Sequence, residues 1–482
     1  MRRISLVRCR ETSETRIVKT VFCMTFFLVA LLYALPAKPF AVDFDGRIRP
    51  QNSFELLLSQ RICESRKCAG ISPGELFSKI QDGEADSLEV FRVNRAAAVE
   101  ILHLDENRRN FCRRDFEQSR SLLRQYAERD DDRPLTREFI RLDAALDLYD
   151  SIRSESFVKR ISVDLSGLTL TENRQVRAES LYLNINLPFV LWILACIAFS
   201  ASLAFFFEKR FSWKLAASLE FLMSGLCFAI FVFRAFVENR LPLASLYEML
   251  LLIVFGVSVA FPLLAVLTRM RSLVVCGSGI ALAILLVMRS ALNGDAFSPV
   301  SVLLDSPFWL SLHVFTIACG FCLLLVSSLI AHVSLLRRAL ELEILDTLHN
   351  VLWKTLSAGF LFSSLGILLG GFWADVAWGR FWGWDPKENG ALLVILWVLT
   401  VGHLKWGNLV RAKTLDAMLS LLSVVILFCL LGVNLLGVGL HSYGYSPGLF
   451  FSLCAFVLMD ILYVAFFSLW KKDSSKKLKL GE

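Results

Sequence analysis

Residues Trp373–Asn389 read WADVAWGRFWGWDPKEN. Four tryptophans, one phenylalanine, two glycines and five charged side chains stand there between two long apolar runs. A membrane-spanning helix does not accept that many charges, and a water-facing loop has no use for so many indoles. The mixture suits a membrane–water interface, where one side of each ring is apolar and the other wet. Such a loop is a platform for a flat, amphipathic ligand.

The rest of the chain agrees with a membrane setting. Its 482 residues are 55% hydrophobic, with 39 Phe and 11 Trp, and the mean hydropathy is +0.57. A soluble protein of this length is not so apolar, so the fold class expected is an all-α polytopic membrane protein. The net charge of +7 calls for no nucleic acid, because the basic residues cluster in short loops beside apolar runs. The twelve cysteines show no CxxC and no zinc spacing, and most sit in apolar runs as small packing residues.

Residues 1–19 carry six basic side chains, Arg2 to Lys19, and form a cytoplasmic N-terminus. The apolar run 20–35 is either a first membrane helix or a cleavable export signal, and both place the next segment outside the cytoplasm. That segment, residues 36–186, is polar, with apolar residues at helical spacing in SLEVFRVNRAAAVEILHL, FEQSRSLLRQYAE and TREFIRLDAALDLYDSI, which predicts a mostly helical extracytoplasmic domain. Cys63 and Cys68 either pair in an oxidising compartment, leaving Cys112 alone, or remain thiols with it.

Residues 187–470 alternate apolar runs with short charged loops. Helices are expected near 187–207, 215–237, 245–266, 273–288, 309–332, 355–374, 390–407, 415–437 and 449–470. Loops rich in Lys and Arg alternate with the others, which makes them cytoplasmic, as is the basic tail 471–482. With the first helix this gives ten spans, both termini inside and the tryptophan loop facing out.

His313, in SPFWLSLHVF, and His441, in GVNLLGVGLHSYGYSPG, fall at the ends of their spans level with that loop. Imidazole is a standard axial ligand for haem iron, so two imidazoles flanking an aromatic platform suggest a haem cradle; the plainer alternative is two interfacial histidines bonded to backbone. His403 lies 18 residues beyond Asp385, about 27 Å along one helix, and cannot share an iron with the other two in one pose. His332 and His349 are expected in a solvated cytoplasmic loop. Asp385-Pro386-Lys387-Glu388 fits a capping-box helix start. That leaves Trp373, Trp378, Trp382 and Trp384 for ligand contact, Arg380 or Lys387 for propionates, and Gly379 and Gly383 for close approach of backbone to a flat ring. Arg234, Glu238, Arg240, Tyr247 and Glu248 are a further polar group at a membrane boundary, open to a functional role or to structural ion pairing.

WGRFWGWDPKEN resembles the signature of the WWD-domain haem-handling proteins, and the match is to the CcsA (ResC) branch of system II cytochrome c biogenesis. SAGFLFSSLGILLGGFWADVAWGRFWGWDPKENGALLVILWVLTVGHLK, GVNLLGVGLHSYG and, before them, FWLSLHV follow the family pattern in order, over roughly residues 230 to 470. RLPLASLYEML is similar to a PLSNLYE stretch of the family, with Arg240 where a His often stands. The resemblance implies a multi-helix membrane bundle in which His313 and His441 ligate haem iron (haem b) beside the WWD loop and His403 belongs to an inner site. It implies that haem is carried across the membrane, held reduced and joined to CxxCH of an apocytochrome c, as the haem-handling part of a holocytochrome c synthase; the alternative is a haem-binding chaperone or regulator without synthase activity. Implied partners are apocytochrome c, a CcsB (ResB)-type membrane protein, thiol reductants and membrane lipid, with no nucleic acid. The implied location is the bacterial cytoplasmic (inner) membrane, with the WWD loop on the periplasmic face. Residues 1–186 contain no clear CcsB portion.

Overall fold

The computed structural model describes residues 41–44, 46–65, 67–129, 134–208, 212–291, 297, 306–433 and 447–470. The expected first span, the basic tail and His441 lie outside these described residues.

The first part is a small helical domain with two short sheets. Strand β1 (Ala41–Phe44) pairs antiparallel with β2 (Arg47–Pro50), Ala41 opposite Pro50 and Phe44 opposite Arg47. Helices α1 (Gln51–Cys63), α2 (Pro73–Gln81), α3 (Ala96–Ile101), α4 (Arg120–Ala127), α5 (Pro134–Ile152) and α6 (Glu155–Ile161) close over a core that includes Phe54, Phe91, Phe116, Phe139 and Tyr149. Phe116, Phe139 and Tyr149 come from the stretches with helical spacing, whereas Phe91, in a stretch expected to be helical, lies in a short strand, Phe91–Arg92; together the five rings are removed from water. Cys63 and Cys68 form a disulfide at the end of α1, and Cys112 is a free thiol.

Helix α7 (Leu170–Ile185) begins at a capping box in which Thr169 and Glu172 exchange hydrogen bonds. Asn186, at φ 54°, turns the chain into α8 (Leu187–Phe207), the first described span. The domain is fastened to the membrane part at this corner. Arg47 Nη2 pairs with Glu179 Oε1 at 2.9 Å, and the Ser53 hydroxyl bonds the same carboxylate. Gln175 Nε2 donates to Phe236 O at 2.9 Å. Phe297 lies under the guanidiniums of both Arg47 and Arg234, at 5.7 and 4.4 Å from its ring centre.

Eight described helices are long and apolar enough to span a membrane, and Leu273–Arg289 is a shorter apolar one. Helices α8, α9 (Trp213–Glu238), α10 (Leu246–Leu267) and α11 (Leu273–Ala291) pack together. Helices α12 (Pro307–Ala339), α13 (Asp346–Trp378), α14 (Pro386–Trp406), α15 (Ala412–Gly432) and α16 (Pro447–Leu469) form the second group, joined to the first through α10 and α12. The span α15 is α-helical over Ala412–Ser420 and Leu422–Leu427 and closes in a π turn, Phe428–Gly432.

The α12–α13 hairpin is packed backbone to backbone. A Cβ on Gly320 would stand 2.5 Å from Ser363 N, and one on Gly366 2.9 Å from Ile317 Cα. Both helices run past the expected 309–332 and 355–374. Apolar windows stop where Arg337, Arg338 and Lys354 begin, but Leu335, Ala339, Leu348 and Leu352 remain buried between the helices, so the hydrogen-bonded backbone continues. His332 and His349, expected in a solvated loop, are therefore helical. His332 Nε2 lies 2.7 Å from Asp460 Oδ1, and His349 packs edge-on against Trp353.

Candidate functional site

The tryptophan stretch is a helix end, a tight turn and a helix start. Helix α13 stops at Gly379, whose φ of 67° suits a residue without Cβ and whose N–H donates to Asp375 O at 2.9 Å. Asp385 Oδ1 accepts from Lys387 N at 2.8 Å, and Pro386 occupies the first helical position of α14. Glu388 Oε2 accepts from Asp385 N at 3.1 Å and also from Gly383 N at 2.9 Å. The expected capping box is present, and its glutamate additionally ties down the turn before it. Trp373 and Trp378, on the last turns of α13, stack at 6.5 Å with 27° between planes, and within the turn Trp382 meets Trp384 edge-on at 6.2 Å.

Trp373, Trp378 and Trp382 border a cavity that is partly open to its surroundings. His313, on the second turn of α12, lines it with Trp373, Trp378 and Trp382. The imidazole Nδ1 lies 2.8 Å from Gly366 O. A carbonyl can only accept, so Nδ1 carries the proton and Nε2 is the basic nitrogen, the arrangement by which proteins orient a metal-binding histidine. Gly370 makes room for the ring, since a Cβ there would stand 2.6 Å from His313 Cε1.

The opposite wall is Leu243, Ala244, Ser245, Leu246 and Met249, from the stretch RLPLASLYEML. Ser245 and Glu248 form a capping box for α10, and Glu248 Oε2 accepts from Ala244 N at 2.7 Å and Ser245 N at 3.0 Å. Its other oxygen bonds Arg234 Nη2 at 2.8 Å. Arg234 also reaches Glu238 at 2.5 Å, and Arg240 pairs with Glu238 at 2.5 Å and Glu248 at 3.6 Å. The polar boundary group is thus one ion network with Arg234 at its buried centre, and it shapes the wall. The sequence leaves these residues open to a functional role or to ion pairing and does not mark the loop beside them as a border of the cavity; the capping pattern Ser245-x-x-Glu248 is the available signal.

The third side comes from the π turn of α15. Cys429 and Leu430 line the cavity, and Cys429 Sγ contacts Lys387 O at 3.9 Å. Lys387, Glu388 and Phe381 also line it. π turns of this kind recur at functional sites, and nothing in the local sequence announces this one.

Other expected site residues lie elsewhere. Trp384 is 72% exposed, and Arg380 is exposed with its guanidinium against Gly383. Trp384, Arg380, Gly379 and Gly383 sit at the rim of the turn and are not among the lining residues. His403 is near the far end of α14, 17 residues beyond Pro386, about 26 Å away along the helix. Its Nδ1 lies 2.7 Å from Leu399 O, again leaving Nε2 as the basic nitrogen. It shares an exposed face of α14 with Leu393, Leu396, Thr400 and Trp406.

Residues 243–441 match the family model described as Cytochrome C assembly protein. The chain is similar to the cytochrome c biogenesis protein CcsA of Guillardia theta, with 31% identity over 42% of this chain and 77% of that one. It is 30% identical to the CcsA protein of Prochlorococcus marinus (strain MIT 9303), over 44% of this chain and 79% of the relative. With the CcsA protein of Trieres chinensis the identity is 28%, over 55% of this chain and 97% of the relative.

Proposed function

Because this multi-pass membrane protein belongs to the CcsA family and takes part in cytochrome c biogenesis, we propose that it carries haem b across the membrane and presents it, reduced, for attachment to CxxCH of apocytochrome c. The observation that carries the reading is His313: an imidazole with its tautomer set by Gly366 O, seated on Gly370 and bordering a cavity walled by stacked indoles. Haem is the substrate here. Its flat apolar ring fits the Trp373 and Trp378 wall, its iron takes Nε2 of His313, and its propionates meet Lys387 or, at the rim, Arg380.

His441 supplies the second axial imidazole on this face. Its placement lies outside the described residues, and the assignment rests on its position in the family pattern and on the nearness of Cys429 and Leu430, eleven or more residues earlier in the chain, to the cavity. Two imidazoles and a dry indole wall would limit access of water and oxygen to the iron. The CxxCH thiols then add across the haem vinyl groups, S–H across C=C, while the CxxCH histidine displaces one protein ligand. The chemistry belongs to haem and thiol, and the protein contributes position and protection.

His403 belongs to the inner, cytoplasmic-side site. Its exposed helix face suits a CcsB-type membrane partner that supplies the second ligand there. The WWD loop then faces the periplasm from the bacterial inner membrane, where thiol reductants keep the acceptor cysteines reduced. The test is attachment: the full chain and a CcsB-type partner are expressed with an apocytochrome bearing CxxCH, and covalent haem is read on denaturing gels. Holocytochrome that depends on this chain and on His313 is expected. Haem bound by the chain with no attachment would instead make it a haem chaperone or regulator.

A further inference from the structure

The first helix group holds a buried acid away from the cavity. Glu220 lies on α9, seven residues past Trp213, about 10 Å along the helix. Its side chain is fully buried, and neither carboxyl oxygen has a hydrogen-bond partner among the described residues. The Ser278 N–H of α11 faces it, but that donor belongs to the hydrogen-bonded ladder of α11 itself.

The seat for the carboxyl is closely built. Oε2 sits over Gly277 of α11: a Cβ there would stand 2.7 Å from it and 2.5 Å from Phe261 Cβ of α10. One residue on, the Ser278 hydroxyl lies 2.8 Å from that of Ser202 on α8. Ser278 also donates to Val274 O at 2.8 Å, and Ser202 to Phe199 O at 2.8 Å. Two hydroxyl hydrogens serve these three contacts, so neither is left over for Glu220.

A negative charge in this seat would stand alone. Among the described residues no Lys, Arg or His pairs with Glu220. Lys214 is at the start of α9, and Arg271, ahead of α11, lies over the Trp213 ring at 5.7 Å. Arg234, toward the other end of α9, is bonded to Glu238 and to Glu248, the one charged residue of α10. Arg289, late in α11, stacks on Phe189 and Trp192, and α8 carries no charged residue. The titratable group within electrostatic reach is the Cys276 thiol of α11, which offers no positive charge. A buried carboxylate without a cation is costly, whereas the acid form is neutral. Hard metal cations gather about six oxygens; the carboxyl and the two committed hydroxyls supply fewer, and no group of His, Cys, Asp and Glu among the described residues could hold a metal ion.

We propose that Glu220 is a proton-binding site inside the membrane. Its carboxylate takes one proton as ligand, the neutral acid fills the seat over Gly277, and the proton returns to solvent when the seam between α9 and α11 admits water. An ionisable group at this depth is a functional feature by its cost alone, and the site stands apart from the haem reading.

The test uses the full chain purified in detergent and two readouts. The first is dicyclohexylcarbodiimide, which reacts with protonated carboxyls in apolar surroundings: the acid O–H adds across one C=N bond, and the acyl group then migrates to nitrogen, leaving a stable adduct with no leaving group. Mass spectrometry of the peptides should find the adduct on Glu220 and not on Glu248, whose carboxylate is bound to Arg234. Labelling should fall as the medium is made alkaline and should not respond to sodium, potassium, magnesium or calcium ions. The second readout is the infrared band of a neutral carboxylic acid, present in the parent, shifted in heavy water, lost at alkaline pH and missing from E220Q. Gly277→Ala, which pushes the carboxyl from its seat, should diminish the band as well. The band decides where the reagent and the spectrum disagree, and labelling of the parent needs no variant to fold. Equal bands in the parent and E220Q overturn the site. Protection from labelling by a metal ion makes it a metal site and overturns the proton as ligand. A band that neither shifts in heavy water nor yields to alkali marks a fixed acid and overturns binding and release.

Discussion

The imidazole of His313 rests directly on Gly370. A Cβ on that glycine would stand 2.6 Å from Cε1 and 2.8 Å from Nδ1 of the ring. Both atoms lie on the side that donates to Gly366 O, so a methyl group there must tilt the ring, break the 2.8 Å hydrogen bond, or both.

Gly370→Ala should therefore weaken haem binding while leaving the protein folded. Overpacking of this kind costs about 1–3 kcal/mol, which if borne by the bound state is roughly fivefold to 150-fold in affinity. Haem titration of the detergent-purified variant measures it, with size-exclusion behaviour as the control for folding. Affinity equal to the parent protein would show that the ring is not bound in this pose.

Arg234 is 1% exposed and holds two carboxylates, Glu238 and Glu248. Arg234→Ala leaves both buried and short of their main cation, a loss of about 3–5 kcal/mol. Arg240, at the edge of the network with 17% of its side chain exposed, should cost less when replaced by Ala. Detergent-solubilised yield and thermal unfolding rank the two. An Arg240→Ala variant as damaged as Arg234→Ala would contradict the assignment of Arg234 as the centre.

The Cys63–Cys68 disulfide closes a five-residue separation, and loop-closure entropy for so short a ring gives about 2 kcal/mol. Cys63→Ser or Cys68→Ser should make the N-terminal helical domain more protease-sensitive. The haem spectrum should stay unchanged, because the bridge is at the far end of α1 from Ser53, which bonds the docking residue Glu179. Limited proteolysis and absorbance on the same sample read both effects.

The membrane class and the expected spans at 187–470 were legible because hydropathy and loop charge act over whole helices. The helix start at Asp385 was legible because capping is local chemistry written in four consecutive residues. Helix ends beyond the hydrophobic windows were not, since residues such as Leu335 and Leu348 are buried by a neighbouring helix that no local pattern reveals. His332 shows the same limit: its partner, Asp460, is 128 residues away. The cavity divides along this line too. Trp373, Trp378, Trp382 and His313 were visible as residue types with a plausible chemistry, whereas the walls from Leu243 to Met249 and from Cys429 depend on how distant helices dock.

The central claim is that His313 holds haem iron through Nε2. The direct measurement is the absorbance spectrum of the full chain, purified in detergent from haem-producing cells, beside its His313→Gly variant with and without imidazole. The account predicts a low-spin, two-imidazole Soret and visible spectrum in the parent, its loss or weakening in the variant, and recovery when imidazole fills the space left by the side chain. A parent protein without haem, or a His313→Gly spectrum identical to the parent's, would contradict it.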